Sequence, residues 1–275
     1  MTATPANSSQ RAPLLAIYSL LVFAFLYLPI VVLILYSFNQ GGVGGFPPRQ
    51  FTLQWYQQLF ADGSLWDSVL NSLLVALGAV ALALTLGLLG ALALDRASFP
   101  GKSLFRRLVL LPLVLPGIIT GLSLLMFVDR LGIRLSLLTV FVGHGTALIS
   151  VATTELFAGL QKLDRAQEEA SLDLGATPWQ TFWRITLPNL KLSLIASALL
   201  IFTLSMDEIA VTFFLLGREN TLPLEIWARL RRGITPEINA ISTLIFFVSV
   251  ILILIWYRIR TRTIGHEATE LLERP

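Results

Sequence analysis

Apolar and polar positions along this chain fall into long blocks, not the short periods of a soluble domain. Leu14–Phe38 is a run of 25 mostly apolar residues, longer than the roughly 7–15 residue core of a signal peptide, and reads as an uncleaved first membrane span. Gly41–Pro48 (GGVGGFPP) breaks any helix there. The wetter stretch to Asp67 holds Trp55, Tyr56 and Trp66, suited to a membrane interface, with a short surface helix over Phe51–Phe60. Further apolar blocks at about Asn71–Leu94, Leu108–Val128, Ser136–Leu160, Leu190–Leu216 and Pro236–Tyr257 bring the expectation to six spans. Gly78, Gly87 and Gly90 give the second span small surfaces for tight helix packing. Pro112, Pro116, Gly117 and Gly121 interrupt the third, which marks either a translocation path or a packing kink. The blocks leave a polar lead over 1–13, one six-helix membrane domain over 14–260 and a polar tail over 261–275.

One polar island, residues 161–189, is too ordered for a simple connector. Asp164 is placed to cap a first helix, with Gln167 three residues on, and Gly175 sits where a helix ends in a left-handed cap. Thr177 caps a second helix, with Pro178 at its first position and Gln180 closing a capping box. Pro188 stops that helix before the next apolar block. The stretch therefore predicts a rigid helix–bend–helix at a membrane face.

Composition agrees with the blocks: 55% apolar and 13% charged residues describe an integral membrane protein. There is no cysteine, so disulfides and thiolate metal sites are excluded, and the two histidines, His144 and His266, leave little for metal or acid–base chemistry. The net charge of +3 matters less than its placement. With the N-terminus inside, the inner segments hold Arg11, Arg96, Lys102, Arg106, Arg107, Lys162, Arg165, Arg184, Lys191, Arg258, Arg260, Arg262 and Arg274, thirteen bases against seven outside. That bias predicts both termini and the polar island on the cytoplasmic side. Four of the outer bases cluster near PLEIWARLRR, an amphipathic helix with Leu224, Trp227 and Leu230 on one face. It suits either an extracytoplasmic partner or a solvated surface.

Asp207 and Glu208 are adjacent acids inside the fifth apolar block, where a charge costs about 2.5–3.5 kcal/mol. Neighbours on a helix point about 100° apart, so one acid can face a pathway while the other pairs with a base or caps a helix. Two readings stand: a contact for a cationic solute near an outer gate, or a structural ion pair. His144, between Gly143 and Gly145, reads as a helix-packing histidine, and Glu155 as paired or interfacial. No GxxxxGK[ST] phosphate loop, HExxH or GxSxG motif occurs, so no catalytic residue, metal ligand or cofactor is assigned.

Within the polar island, Glu169, Ala170, Ser171, Gly175, Ile185, Leu187 and Pro188 fall at the spacing Glu-Ala-Ala, three residues, Gly, nine residues, Ile-x-Leu-Pro. This resembles the EAA loop of the permease subunits of bacterial ATP-binding-cassette importers, with Ser171 in place of the second Ala. The resemblance implies a type I importer permease of MetI-like architecture in the bacterial inner membrane. Its first loop helix would dock on a separate ATPase subunit, and those seven residues would couple the loop to it, Glu169–Gly175 transmitting the motion and Pro188 fixing how the bend joins the fifth span. It also implies a second homologous permease, forming a heterodimer, two cytoplasmic ATPase subunits holding ATP and Mg, and an extracytoplasmic binding protein. Lipid surrounds such a subunit, and no nucleic acid is involved. Leu204–Glu208, Thr221–Leu224 and Pro236–Ala240 further resemble the spermidine/putrescine permeases. A polyamine needs spaced carboxylates and aromatic faces, which Asp207, Glu208, Phe213, Phe214 and Trp227 offer. Permeases for amino-acid derivatives or phosphonates share much of this pattern, and an ion-coupled secondary transporter is the remaining alternative.

Overall fold

The computed structural model describes residues 8–40, 50–233, 235–251 and 254. Among these the backbone is helical apart from loops and one antiparallel bridge, Asn39 with Phe51. The chain divides into two compact units, Met1–Asp62 with Arg229–Pro275, and Gly63–Ala228. The first opens with α1, Ser8–Ser37. It begins inside the segment expected to be a polar lead, because Gln10, Arg11 and Ala12 are good helix formers. Its side chains from Leu15 to Leu28 are exposed, as a lipid-facing helix requires. The surface helix is α2, Gln54–Ala61, starting a turn later than expected. It is tied to the end of α1 by Trp55 Nε1 donating to the Asn39 carbonyl at 2.9 Å and by Tyr56 Oη 2.7 Å from Ser37 Oγ. The Gly41–Pro48 breaker and the 261–275 tail lie outside the described residues.

The second unit is built on α3, Gly63–Arg96, which at about 1.5 Å per residue is about 50 Å long, well over the roughly 30 Å of bilayer hydrocarbon. Beside it, α4 (Lys102–Leu110) and a 3₁₀ turn (Leu111–Leu113) meet α5 (Gly117–Arg130) at 107°. The third block is thus no straight span: Pro112 and Pro116 remove two backbone donors, and the chain turns a corner. Arg106 of α4 caps the ring of Phe157 at 5.3 Å. That ring belongs to α6, Leu137–Leu160.

α3 and α6 pack through small residues. A Cβ on Gly87 would sit 2.4 Å from that of Ala152, and one on Gly145 would sit 2.6 Å from Leu82 Cδ2, so larger residues would force the helices apart. Val75, Val140, Val211 and Leu215 form one buried cluster, and Ala83, Ala152 and Ile201 another.

The polar island contributes α7 (Arg165–Asp173), α8 (Pro178–Thr181), a π-turn (Phe182–Thr186) and α9 (Leu187–Asn189). After a 65° bend come α10 (Lys191–Met206) and then α11 (Ala210–Leu215). The expected continuous span over Leu190–Leu216 is therefore broken at the acids. The amphipathic stretch is α12, Leu222–Arg232. In the first unit Arg229 Nη2 bonds Asp62 Oδ2 at 2.6 Å. The final apolar helix, α13, runs Pro236–Ile251 with Ile238, Ala240 and Ile241 buried. Among the described residues three helices are long and apolar enough to cross a membrane, or five if each bent pair is one span. The protein is an all-α, multi-pass membrane protein.

Candidate functional site

The loop closes as a hairpin of short helices. Asp164 Oδ1 accepts the Ala166 N–H at 3.0 Å, the expected cap. Gln167 does not complete a box with it; its Oε1 accepts from Asn189 Nδ2 at 3.0 Å, because the hairpin returns Asn189 to the first helix. Gly175 has φ of 88°, with Ala176 N–H donating to the Ser171 carbonyl and Gly175 N–H to that of Leu172, a Schellman ending. Thr177 and Gln180 exchange both bonds of the capping box, at 2.9 and 3.3 Å. Pro188 does not stop the second helix. It lies in α9, after a π-turn in which the Leu187 N–H reaches back to the Phe182 carbonyl, a wider turn that accommodates the proline ring.

Glu168 was not singled out from sequence, yet it is the residue that anchors the hairpin. Its carboxylate is buried and takes both terminal nitrogens of Arg96, with Nη2 to Oε1 at 2.8 Å. The Thr186 hydroxyl donates to the same Oε1 at 2.5 Å. Asp95 extends the network, accepting from Gln161 at 2.5 Å and Arg165 at 3.2 Å, with Oδ2 2.8 Å from Arg96 Nε. Burial pushes the Glu168 carboxyl up, but the Arg96 and Thr186 bonds outweigh it and hold the group below its ordinary value. A bidentate guanidinium pair fixes orientation as well as charge. The end of α3 is thereby clamped to α7 and the π-turn. The available hint was the Glu168-Glu169 doublet.

Of the expected coupling residues, Glu169 and Ala170 face solvent, Ser171 Oγ lies 3.1 Å from Thr181 Oγ1, and Ile185 and Leu187 are half-buried. Leu174, Trp179 and Trp183 add exposed apolar surface, with Trp179, Phe182 and Trp183 in mutual ring contact.

The second arrangement is the interruption between α10 and α11. Asp207 is exposed: its backbone N–H donates to the Ser205 carbonyl, and its carboxylate makes no hydrogen bond or ion pair among the described residues. Glu208 is half-buried, and its Oε1 accepts the Val211 N–H at 3.0 Å, capping α11. The two acids are thus separated by role because the helix stops, not because of a helical turn between them. α5 lies against this break. A Cβ on Gly117 would come 3.3 Å from Ala210 Cβ, and one on Gly121 would come 3.1 Å from the Ala210 carbonyl oxygen and 2.8 Å from Phe214. Glu208 and Phe214 share that glycine face. Phe213 is exposed at an edge-on 5.4 Å from Phe214, and Trp227 is exposed on a different helix, α12. His144 is buried, with Nδ1 2.8 Å from Ser205 Oγ and Nε2 2.8 Å from Thr212 Oγ1. Glu155 is exposed. Among the described residues no three His, Asp or Glu side chains converge as a metal site.

Residues 83–264 match the family of binding-protein-dependent transport system inner membrane components. The chain belongs to that family. It is 36% identical over 260 residues to the putrescine transport system permease protein PotI of Escherichia coli K12, covering 90% of this chain and 91% of that protein. The spermidine/putrescine transport system permease protein PotC of Escherichia coli K12 is 32% identical over 234 residues, covering 85% and 88%. Among solved structures, a chain of the bacterial ABC transporter involved in import of the acidic polysaccharide alginate superposes with a TM-score of 0.69 at 19% identity, over 94% of this chain and 99% of that one. A chain of the MetNI methionine ABC transporter in an inward-facing form gives 0.54 at 14%, over 77% and 97%. At those identities the superpositions show the fold, that of MetI-like permeases. Family membership makes this chain a transport subunit, not a catalytic one. In this permease the loop hairpin and the helix break both lie within the matched residues.

Proposed function

We propose that this permease imports a polyamine, putrescine or spermidine, as one half of a paired membrane core. Two separate ATPase subunits would drive it, and an extracytoplasmic binding protein would deliver the solute. The observation that carries the solute class is Asp207. An exposed carboxylate without a partner among the described residues, at the interruption of an apolar helix, costs about 2.5–3.5 kcal/mol in a bilayer unless a wet cavity or a cation meets it. The relatives named for putrescine and spermidine support the same class. Glu208 is occupied as a cap, so Asp207 is the acid free for an ammonium group.

The passes are α1, α3, the bent α4–α5 pair, α6, α10 with α11, and α13, six in all, with both termini cytoplasmic. The loop 161–189 then faces the ATPase, offering Glu169, Ala170 and the apolar surface around Leu174. ATP closes the ATPase dimer, and the motion shifts the bundle only because ATP binds one of its states more tightly. The Arg96–Glu168–Thr186 clamp carries loop displacement to α3.

The test is uptake of labelled putrescine, spermidine, a neutral amino-acid derivative and a phosphonate by cells lacking only this gene and complemented with the chain or its Asp207→Asn variant. Polyamine uptake is expected to need ATP and to fall about tenfold or more in the variant. Unchanged polyamine uptake in Asp207→Asn overturns the solute assignment. Dependence on the proton gradient alone overturns the importer reading.

A further inference from the structure

The helix between α10 and α11 stops without a proline or glycine: the sequence there is Ser205-Met206-Asp207-Glu208-Ile209. Besides the local Glu208–Val211 cap, a residue from another helix bonds both sides of the stop. Thr212 Oγ1 donates to the Glu208 carbonyl at 2.8 Å, which uses its one hydrogen. His144 Nε2, 2.8 Å from the same oxygen, must therefore be the donor in that pair. A neutral ring then leaves Nδ1 as acceptor, and Ser205 Oγ, 2.8 Å away, donates to it. The result is one directed chain: Ser205 hydroxyl to His144, His144 to Thr212, Thr212 to the Glu208 carbonyl. It starts on the last turns of α10, passes through α6 and ends in the break itself.

All three side chains are buried, and the flanking glycines let the ring reach them. A Cβ on Gly143 would lie 2.2 Å from Leu215 Cδ1, and Gly145 meets Leu82, so α6 approaches α11 and α3 closely on either side of His144. We propose that His144 is a positioning residue for the acidic pair: by bonding both halves of the broken helix it fixes Glu208 as the cap of α11 and so leaves Asp207 free for the solute cation. This rests on the reading of Asp207 as a solute contact. The two bonds of the ring join the two sides of the interruption, and through Thr212 they end on the backbone of one of the acids.

The test uses the assembled permease–ATPase complex with its binding protein in proteoliposomes, reading polyamine taken up per ATP hydrolysed. A defect that merely reduces the amount of folded complex lowers both together and leaves that ratio unchanged. His144→Ala is expected to lower the ratio about tenfold, the loss of a buried hydrogen bond expressed in turnover. His144→Gln, which retains a donor toward Thr212, is expected to recover part of it. Thr212→Val, which keeps the shape and removes the link to Glu208, covers the case in which His144→Ala fails to assemble, and is expected to fall similarly. An unchanged ratio in Thr212→Val, or in an assembled His144→Ala, overturns the inference. Asp207→Asn separates the two claims. If its ratio is unaltered, or the unaltered complex moves no polyamine, the solute reading fails and this inference with it. If Asp207→Asn lowers the ratio while the His144 and Thr212 variants do not, only the role of His144 fails.

Discussion

The loop hairpin and the helix break are both interruptions of apolar helix, but they are held by different kinds of contact. The hairpin is fixed largely by neighbours in sequence: Asp164 to Ala166, Thr177 to Gln180, Gly175 to Leu172. The break is fixed from a distance: His144 lies 61 residues from Ser205 and 68 from Thr212, and α5 supplies the glycine surface beneath it. Local capping makes an element that survives movement as a rigid body, which suits a lever. Distant contacts make a conformation that exists only while the bundle is packed one way. A site that must change with the bundle is better built in the second manner.

The sharpest test of the contrast is the clamp by which a distant guanidinium holds the hairpin. Arg96→Ala strips Glu168 of its guanidinium and leaves a buried carboxylate. The expected loss is about 2–3 kcal/mol in unfolding of the detergent-solubilised protein, discounted because Arg96 is partly exposed. The pH dependence has a definite sign. The folded Glu168 carboxyl is held below its ordinary value, so the clamp contributes fully above that value and its contribution is lost as pH falls through the folded one. Glu168→Gln should flatten that acid-side slope; an identical slope in the variant would show the clamp is not the titrating element.

Next in size, Gly121→Val should separate α5 from the break, at a cost of about 1–3 kcal/mol from overpacking against the Ala210 carbonyl and Val211 Cα. It should leave ATPase association intact while reducing uptake. If association is lost together with uptake, the two regions are not independent. The smallest structural effect is expected of Gly175→Val. Nothing lies within 4 Å of its added Cβ, so the cost is the left-handed backbone alone, about 1–2 kcal/mol. ATPase-driven uptake should fall by more than that stability loss explains. Normal uptake by a well-expressed variant would show that the bend does not transmit motion.

The two regions were unequally legible from sequence. Thr177, Pro178, Gln180 and Gly175 announce their roles because capping is a three- or four-residue interaction, and the structure has each in its expected geometry. Even there, Gln167 was misplaced, since Asn189 competes for it from across the hairpin. Asp207 and Glu208 were visible as acids in an apolar block, but the interruption was not. Hydropathy is the same on both sides, and His144, which bonds both sides of the break, lies on another helix.

The apolar blocks by themselves determined that this is a multi-pass helical membrane protein, because a bilayer leaves the backbone no partner outside the helix itself. Local cap and turn chemistry likewise determined where the first loop helix starts and ends and where the second begins. Tertiary structure alone decided that Glu168 would be clamped by Arg96, that the fifth block would break at Met206, and which of the two acids would be left free. Those outcomes depend on which side chains from distant helices arrive within hydrogen-bonding reach.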